Sequence, residues 1–298
     1  MKQTGRVMLI IGTLIFTFIF TKTFAENNKL PITGVTALEK AHAHNDYDHT
    51  VPLFDALDHG FTRIEPDVFI LYKDPGTGEV INDKLKHFNE SGQTDISNYI
   101  IMVGHNYGEY KGTLYELYIK PLEQLKSGQF VFEGYNKPIL YMIDMKTNYP
   151  GSVEFMNTYL AQYKTLFNNY NSNIMDKPVN VILSGYNGGD FRESDYNYLL
   201  SVQNRYIGID GRVDKPLFGQ NKSPELFPLI SNSWDNRTDE EFYKDIKEAH
   251  ADGHQIRFWG IDDNLSTWEK LYDAGMDVIS TDNLQGVEDF LLSKMTKK

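Results

Sequence analysis

From about residue 30 onward, short apolar runs rich in β-branched and aromatic residues alternate with longer stretches whose apolar positions recur at helical spacing. The apolar runs predict eight strands: Val35 to Ala43, Phe61 to Phe69, Pro138 to Met145, Val179 to Ser184, Arg205 to Asp210, Phe227 to Ser231, Gln255 to Gly260 and Asp277 to Thr281. Helical patterns follow most of them, over Val51 to Asp58, Thr113 to Ser127, Val153 to Tyr170, Glu193 to Val202, Thr238 to Ala251, Leu265 to Ala274 and Leu284 to Lys294. Strands that alternate with helices build parallel sheets. Eight such units predict a (β/α)₈ TIM barrel, a fold that takes about 250 residues. The competing doubly wound sheet calls for a Gly-x-Gly-x-x-Gly turn after the first strand, and none is present. Tyr72 to Ile101, with the turn-forming Lys73-Asp74-Pro75-Gly76-Thr77-Gly78, reads as a long irregular insertion after the second strand. It falls on the face where barrels keep their chemistry, so it is a candidate lid or rim.

The first residues change the picture of where the chain works. Lys2 and Arg6, an apolar core from Val7 to Phe20 and the small-residue end Thr23-Phe24-Ala25 predict a signal peptide over 1–25, leaving one barrel domain over 26–298. The expected product is exported, periplasmic or extracellular. No later stretch is apolar over the roughly 20 residues a bilayer span takes. There is no cysteine, which removes disulfides, zinc thiolates and thiol nucleophiles from consideration. Loss of Lys2, Arg6 and Lys22 takes the formal net charge from −12 to −15. So acidic a surface excludes general nucleic-acid binding, which relies on basic patches.

Three short patterns carry the chemistry: His42-Ala-His44, Glu65-Pro-Asp67 and Asp144-Met-Lys146, each closing one of the first three strands. Residues i and i+2 of a strand project the same way, so each pattern aims two functional groups at one place. Acids interrupting otherwise apolar strands are not solvated surface groups, because charged residues are almost never fully buried unless paired. Three carboxylates without a thiol suit Mg²⁺ or Ca²⁺ better than Zn²⁺. A zinc amidohydrolase also opens with His-x-His, but it needs histidines on middle strands, and none lies between His105 and His250. His42 is read as a packing partner and His44 as the reactive imidazole, with the reverse assignment left open. His105, in Val103-Gly104-His105-Asn106, ends an apolar run and can fold over the same mouth. His49, His59, His87, His250 and His254 are expected at solvated positions, and Ser184, Asp210 and Asp282 in structural roles.

Together these residues resemble the glycerophosphodiester phosphodiesterase family of phospholipase C-like barrels. The resemblance rests on His44, Glu65 with Asp67, His105, Asp144 with Lys146, Trp259 in Arg257-Phe258-Trp259-Gly260-Ile261-Asp262, and the closing Gly275-Met276-Asp277-Val278-Ile279-Ser280-Thr281-Asp282. Ala43-His44-Asn45-Asp46-Tyr47, Glu65-Pro66-Asp67-Val68, Val103-Gly104-His105 and Thr113-Leu114-x-x-Leu117-Tyr118-x-x-Pro121-Leu122 are similar to its altered inheritance of mitochondria protein 6-like branch. The resemblance implies a metal-dependent phosphoric diester hydrolase acting on a glycerol- or lipid-derived phosphodiester through a cyclic phosphate. It implies His44 and His105 as acid and base in either order, Glu65, Asp67 and Asp144 as ligands of one divalent cation, and Lys146, Trp259 and Asn45 against the substrate. His-Asn-Asp stands in place of the family's usual His-Arg-Gly, and Asp144 in place of its usual Glu. Those departures keep three alternatives in view: a sphingomyelinase D-like enzyme releasing a cyclic phosphate, a barrel that binds a ligand without chemistry, and a metal-free glycoside hydrolase.

Overall fold

The computed structural model of the chain describes residues 29–81, 96–147, 149–172, 174–185, 192–212, 223–235 and 237–296. The signal segment and His87 lie outside the described residues. The strands are β1 (Leu38–Ala43), β2 (Phe61–Ile64), β3 (Asp67–Lys73), β4 (Val80–Ile81), β5 (Tyr99–Val103), β6 (Gly112–Thr113), β7 (Ile139–Met145), β8 (Val179–Gly185), β9 (Gly208–Gly211), β10 (Leu229–Ser233), β11 (Gln255–Trp259) and β12 (Ile279–Thr281). The α-helices are α1 (Phe54–Asp58), α2 (Ser152–Ala161), α3 (Glu193–Ser201), α4 (Asp239–Ala251), α5 (Leu265–Asp273) and α6 (Leu284–Met295). Parallel neighbours run β11-β10-β9-β8-β7-β2-β1-β12, and a parallel bridge between Arg257 and Val278 links β11 to the segment entering β12. The strands therefore follow the ring of a (β/α)₈ barrel.

Alternation along the strands sorts side chains to the two sides of that ring. Ile139, Tyr141 and Ile143 of β7 join the large core that includes Phe155 of α2, Phe242 of α4 and Phe290 of α6. Leu140 and Met142 instead pack with Ile182, Leu229 and Val278 in a separate small cluster that fills the barrel's inside. The same alternation puts His42, Glu65, Asp144, Ser184, Asp210, Arg257 and Trp259 on the inner face, because Ala43, Ile64, Ile143, Leu183, Ile209, Ile256 and Phe258 belong to the outer core. The polar residues sit toward the carboxyl ends of their strands, where barrel sites are built.

Local chemistry sets several boundaries. Thr238 caps α4, its side chain accepting from Glu241 N while the Glu241 carboxylate takes Thr238 N. Asn264 and Asn283 cap α5 and α6 one-sidedly, their side chains accepting from Thr267 N and Gly286 N. The expected strand Phe61 to Phe69 is broken at Glu65-Pro66, since proline has no N–H for a ladder. Beyond it the chain resumes as β3, where Asp67 pairs beside Asp144 of β7.

Three expectations need correction. The stretch after Tyr72 is not irregular throughout: β3 pairs antiparallel with β5 from Val68 opposite Val103 to Tyr72 opposite Tyr99, and β4 adds a short rung. Tyr99–Val103 is an unbroken apolar run, but at five residues it is too short to announce a strand against its loop-like neighbours. The helix expected over Thr113 to Ser127 is split into a π turn (Tyr115–Ile119) and a 3-10 turn (Lys120–Gln124), because Pro121 cannot donate to the preceding turn. The helix expected over Val153 to Tyr170 ends at Ala161, after which Phe167 bridges Val179 and Asn168 N donates to its carbonyl at 3.0 Å.

Candidate active site

The three acids meet. Each of Glu65, Asp67 and Asp144 places a carboxylate oxygen within 4.8 Å of the others. Glu65 ends the inner face of β2, Asp67 opens β3, and Asp144 lies beside Asp67 on β7. Gly185, next to Asp144 at the end of β8, leaves the room they use. Its φ is +89°, and a Cβ there would lie 2.1 Å from Asp144 Oδ1. Asp67 Oδ2 receives Lys146 Nζ at 3.0 Å and His105 Nδ1 at 3.1 Å, with the Tyr47 hydroxyl at 2.7 Å. That hydroxyl also lies 2.8 Å from Asn45 Oδ1, and with one proton it donates to one of the two. Asp67 Oδ1 is buried and has no protein partner among the described residues.

Burial and the neighbouring Asp67 push the Asp144 carboxyl up to about 6, although Lys146 Nζ stands 3.0 Å from its Oδ2. Two carboxylates side by side on adjacent strands resist carrying both charges. An unmatched buried oxygen, three oxygen donors in reach of one another and a carboxylate held short of full ionisation are what a hard cation relieves. The residues present therefore fit a divalent ion of the Mg²⁺ or Ca²⁺ kind.

His44 and His42, two residues apart on β1, have different surroundings. His42 is fully buried, its Nε2 against Glu65 Oε2 at 2.5 Å and Arg257 Nη1 at 2.7 Å. Burial and the Arg257 charge hold its pKa down to about 4, so it is neutral at pH 7. His44 lies at the edge of the cleft, with Nδ1 3.0 Å from Asp282 Oδ1. Burial alone would lower its pKa, but the hydrogen bond to Asp282 and the charge of Glu65 outweigh that and raise it. With Nδ1–H donated to Asp282, Nε2 becomes the basic nitrogen. His105 is exposed and reaches the cluster through Asp67. Asp282 is itself held in place: Asp263 Oδ2 accepts from the backbone N–H of Asp282 and Asn283, and Asp263 Oδ1 from Thr281 Oγ1 and Trp268 Nε1.

The acids open onto a cleft of about 340 Å³ whose walls include His44, Lys146, Trp259, Arg212 and Arg257. Trp259 is half exposed there. Asn45 does not line it. With φ +49° it turns the chain after β1 and contacts His44 and Tyr47. Asp46 points into the core, where Oδ2 accepts from Leu53 N and the Tyr118 hydroxyl. Among the other histidines, His254 departs from the expected solvated position: it is buried, its Nδ1 donating to Phe227 O at 2.7 Å.

Arg257 and Asp282 are the groups that reading the chain left without a role at the site. Arg257 ion-pairs with Glu65 from across the ring and, against its burial, is raised by that charge. The available signal was the position of each: a cation two residues before Trp259 on one inner strand face, and an acid ending the last strand.

Residues 32–84 match the model of the AIM6-like phosphodiesterase domain. The chain is 25% identical over 301 residues to altered inheritance of mitochondria protein 6 of Eremothecium gossypii, covering 86% of this chain and 70% of that protein. It is 24% identical to the Candida glabrata protein of the same name, covering 96% and 81%. The chain is thus similar to the AIM6-like phosphodiesterases. A glycerophosphodiester phosphodiesterase of Parabacteroides distasonis shares this barrel with a TM-score of 0.50 at 13% identity, over 87% of this chain and 99% of that one.

Proposed function

We propose that this protein is an exported, metal-dependent phosphoric diester hydrolase acting on a glycerol- or lipid-derived phosphodiester. The observation that carries this reading is the three-carboxylate cluster flanked by two imidazoles, each leaning on a carboxylate: His44 on Asp282 and His105 on Asp67. Glu65, Asp67 and Asp144 would hold one Mg²⁺ or Ca²⁺, which when bound supplies charge neutralisation at a non-bridging phosphate oxygen.

The chain's own residues account for the rest. Asp282 and Asp67 each take one ring N–H, which leaves the opposite nitrogen of His44 and of His105 to move a proton. One imidazole withdraws the proton from the attacking hydroxyl and the other returns one to the leaving oxygen. Lys146 stays protonated, since Asp144 and Asp67 outweigh its burial, and it fixes the orientation of both acids. Arg257 and His42 lock Glu65 in its ionised form: burial opposes the charge, but Arg257 and His42 hold the carboxyl well below its ordinary range. Trp259 offers a flat apolar wall to the alcohol side of the substrate.

The test is hydrolysis of a glycerophosphodiester and of a bis-aryl phosphodiester with and without chelator, for wild type, His44→Ala, Glu65→Ala and His105→Ala. Turnover lost on chelation, restored by Mg²⁺ or Ca²⁺, and reduced about 10²- to 10⁴-fold by each histidine substitution is expected. Full activity in all three variants, or indifference to chelator, overturns the assignment. No turnover on any diester favours a barrel that binds without chemistry.

A further inference from the structure

We propose that the amino-terminal mouth of the barrel, opposite the acids, is a second binding site, built around Arg63, that takes a small oxyanion bearing a phosphate or carboxylate group. The inference stands apart from the phosphodiesterase reading, since it uses neither the acids nor the imidazoles. A pocket of about 400 Å³ opens there among the first residues of the strands, with Arg63, Lys137, Asn180 and Gln255 in its walls. Arg63 pairs beside Leu140 of β7, Leu140 beside Asn180 of β8, and Gln255 beside Leu229 of β10. Neighbours in register on parallel strands project to the same side, so these residues face the inside of the ring near its lower end. Ile182 of the inner apolar cluster, and Leu140 packed on it, also line the pocket, which places that cluster between it and the catalytic cleft.

Arg63 is a buried cation without a carboxylate of its own. It is 9% exposed, and it donates from Nε to Glu39 O at 2.9 Å and from Nη2 to Gln255 Oε1 at 3.1 Å, both neutral oxygens. Among the described residues no carboxylate pairs with it and Nη1 has no protein acceptor. Charged side chains are almost never buried unless paired. Glu39, the acid in the pocket wall, is engaged instead by Lys137 Nζ at 2.6 Å. The neighbouring amides are turned alike: Gln255 Oε1 is taken by Arg63, and Asn180 Oδ1 by Asn168 Nδ2 at 2.8 Å, which leaves each an NH₂ to offer. The wall thus presents donors and a net charge of +1, from Arg63 and Lys137 against Glu39, on a chain of formal net charge −12. A cation is repelled there, and a neutral alcohol leaves the guanidinium uncompensated. An oxyanion is all acceptor, carries the missing charge and matches the guanidinium fork.

The competing role is structural, with Arg63 serving only to tie β1 to β11 across the inside of the ring. Full-length wild type, Arg63→Met and Asn180→Asp separate the two. Each is depleted of divalent ions, dialysed free of chelator, titrated calorimetrically with inorganic phosphate and separately with acetate, and melted with and without each anion. Asn180→Asp keeps the acceptor for Asn168 and replaces a donor in the wall with a negative charge, so it tests the site with Arg63 unchanged. Wild type is expected to bind at least one of the two anions with a Kd of about 1 mM or tighter and to melt higher in its presence. Phosphate alone or acetate alone identifies which group the site prefers, and either sustains the inference. Arg63→Met and Asn180→Asp should each weaken that binding about 10-fold or more, the loss of a charge-assisted hydrogen bond. Neither anion binding to wild type overturns the inference. Unchanged affinity in either variant, if folded, overturns it too, and a lower Tm in Arg63→Met with affinity unchanged assigns Arg63 the structural role. Should Arg63→Met fail to melt cooperatively, Asn180→Asp decides alone.

Discussion

His42 and His44 show how two identical side chains two positions apart are given different jobs by what surrounds them. One is pressed between Glu65 and Arg257 and kept neutral; the other meets Asp282 at the cleft edge and is made more basic. Removing the Asp282 charge as Asp282→Asn therefore lowers the His44 pKa. Whichever limb of the pH–rate profile His44 governs, that limb is expected to move to lower pH, with kcat falling about 10-fold or more. An unmoved profile separates His44 from proton transfer. Asp46 makes a different residue-scale prediction. Burial pushes its carboxyl up to about 7 despite hydrogen bonds from Leu53 N and Tyr118. A carboxyl raised above its unfolded value of about 3.9 stabilises the fold fully below that value and loses the contribution as pH rises through 7. Wild-type stability should thus decline between pH 4 and 8 by up to about 4 kcal/mol from this group. Asp46→Asn should flatten that window in denaturant titrations; equal slopes in the two proteins would refute the assignment.

At the scale of elements, the acids were legible in the chain and the groups that tune them were not. Glu65, Asp67 and Asp144 interrupt apolar strands, and a two-residue period tells which way a strand residue projects. Arg257 and Asp282 meet their partners across 192 and 238 residues, through closure of the ring, and no local period reports such pairing. The eight barrel strands were visible because each is a buried apolar run, whereas the β3–β5 hairpin was hidden by the polar stretch between its arms. The early end of α2 is a case of tertiary pairing overriding a helical pattern, whereas the break at Pro121 is local, the missing N–H of proline. The strand ends also yield a test of how tightly the cluster is built. Gly185→Ala combines a left-handed backbone with a Cβ driven into Asp144 Oδ1. It is expected to cost about 1 to 3 kcal/mol and to weaken divalent-ion affinity at least about 10-fold. Gly34, at φ +75° with nothing within 4 Å, is the control: Gly34→Ala bears backbone strain alone and should leave ion affinity and turnover unchanged. Equal ion affinity in the two variants would show that Gly185 does not shape the cluster.

For the whole molecule, the carboxylate cluster draws one acid each from the ends of β2, β3 and β7, so an ion held there ties these three segments together at the open end of the barrel. Anything that binds the folded chain and not the unfolded one raises stability, by about 2.7 kcal/mol at a hundred times its dissociation constant. For a barrel of this size that is roughly 5 to 10 °C in Tm. Mg²⁺ or Ca²⁺ is expected to produce such a rise in wild type, and Asp144→Asn separates that effect from nonspecific screening of an acidic protein of net charge −12. In the metal-free chain at pH 8, Asp144 is ionised beside Asp67 although its pKa has been pushed up to about 6. The sign follows: the stabilisation its neutral form provides is complete below about pH 4 and is lost as pH rises through 6. Asp144→Asn removes that loss, worth up to about 3 kcal/mol and offset in part by the partner Lys146 gives up. The variant should therefore melt at or above metal-free wild type at pH 8, yet show no rise on adding the cation. Calorimetric scans at pH 5 and pH 8, each with and without ion, read both effects at once. A cation-induced rise that survives in Asp144→Asn would place the ion elsewhere on the surface, and a variant that melts below metal-free wild type at pH 8 would mean that repulsion between the two acids is not what limits the empty cluster.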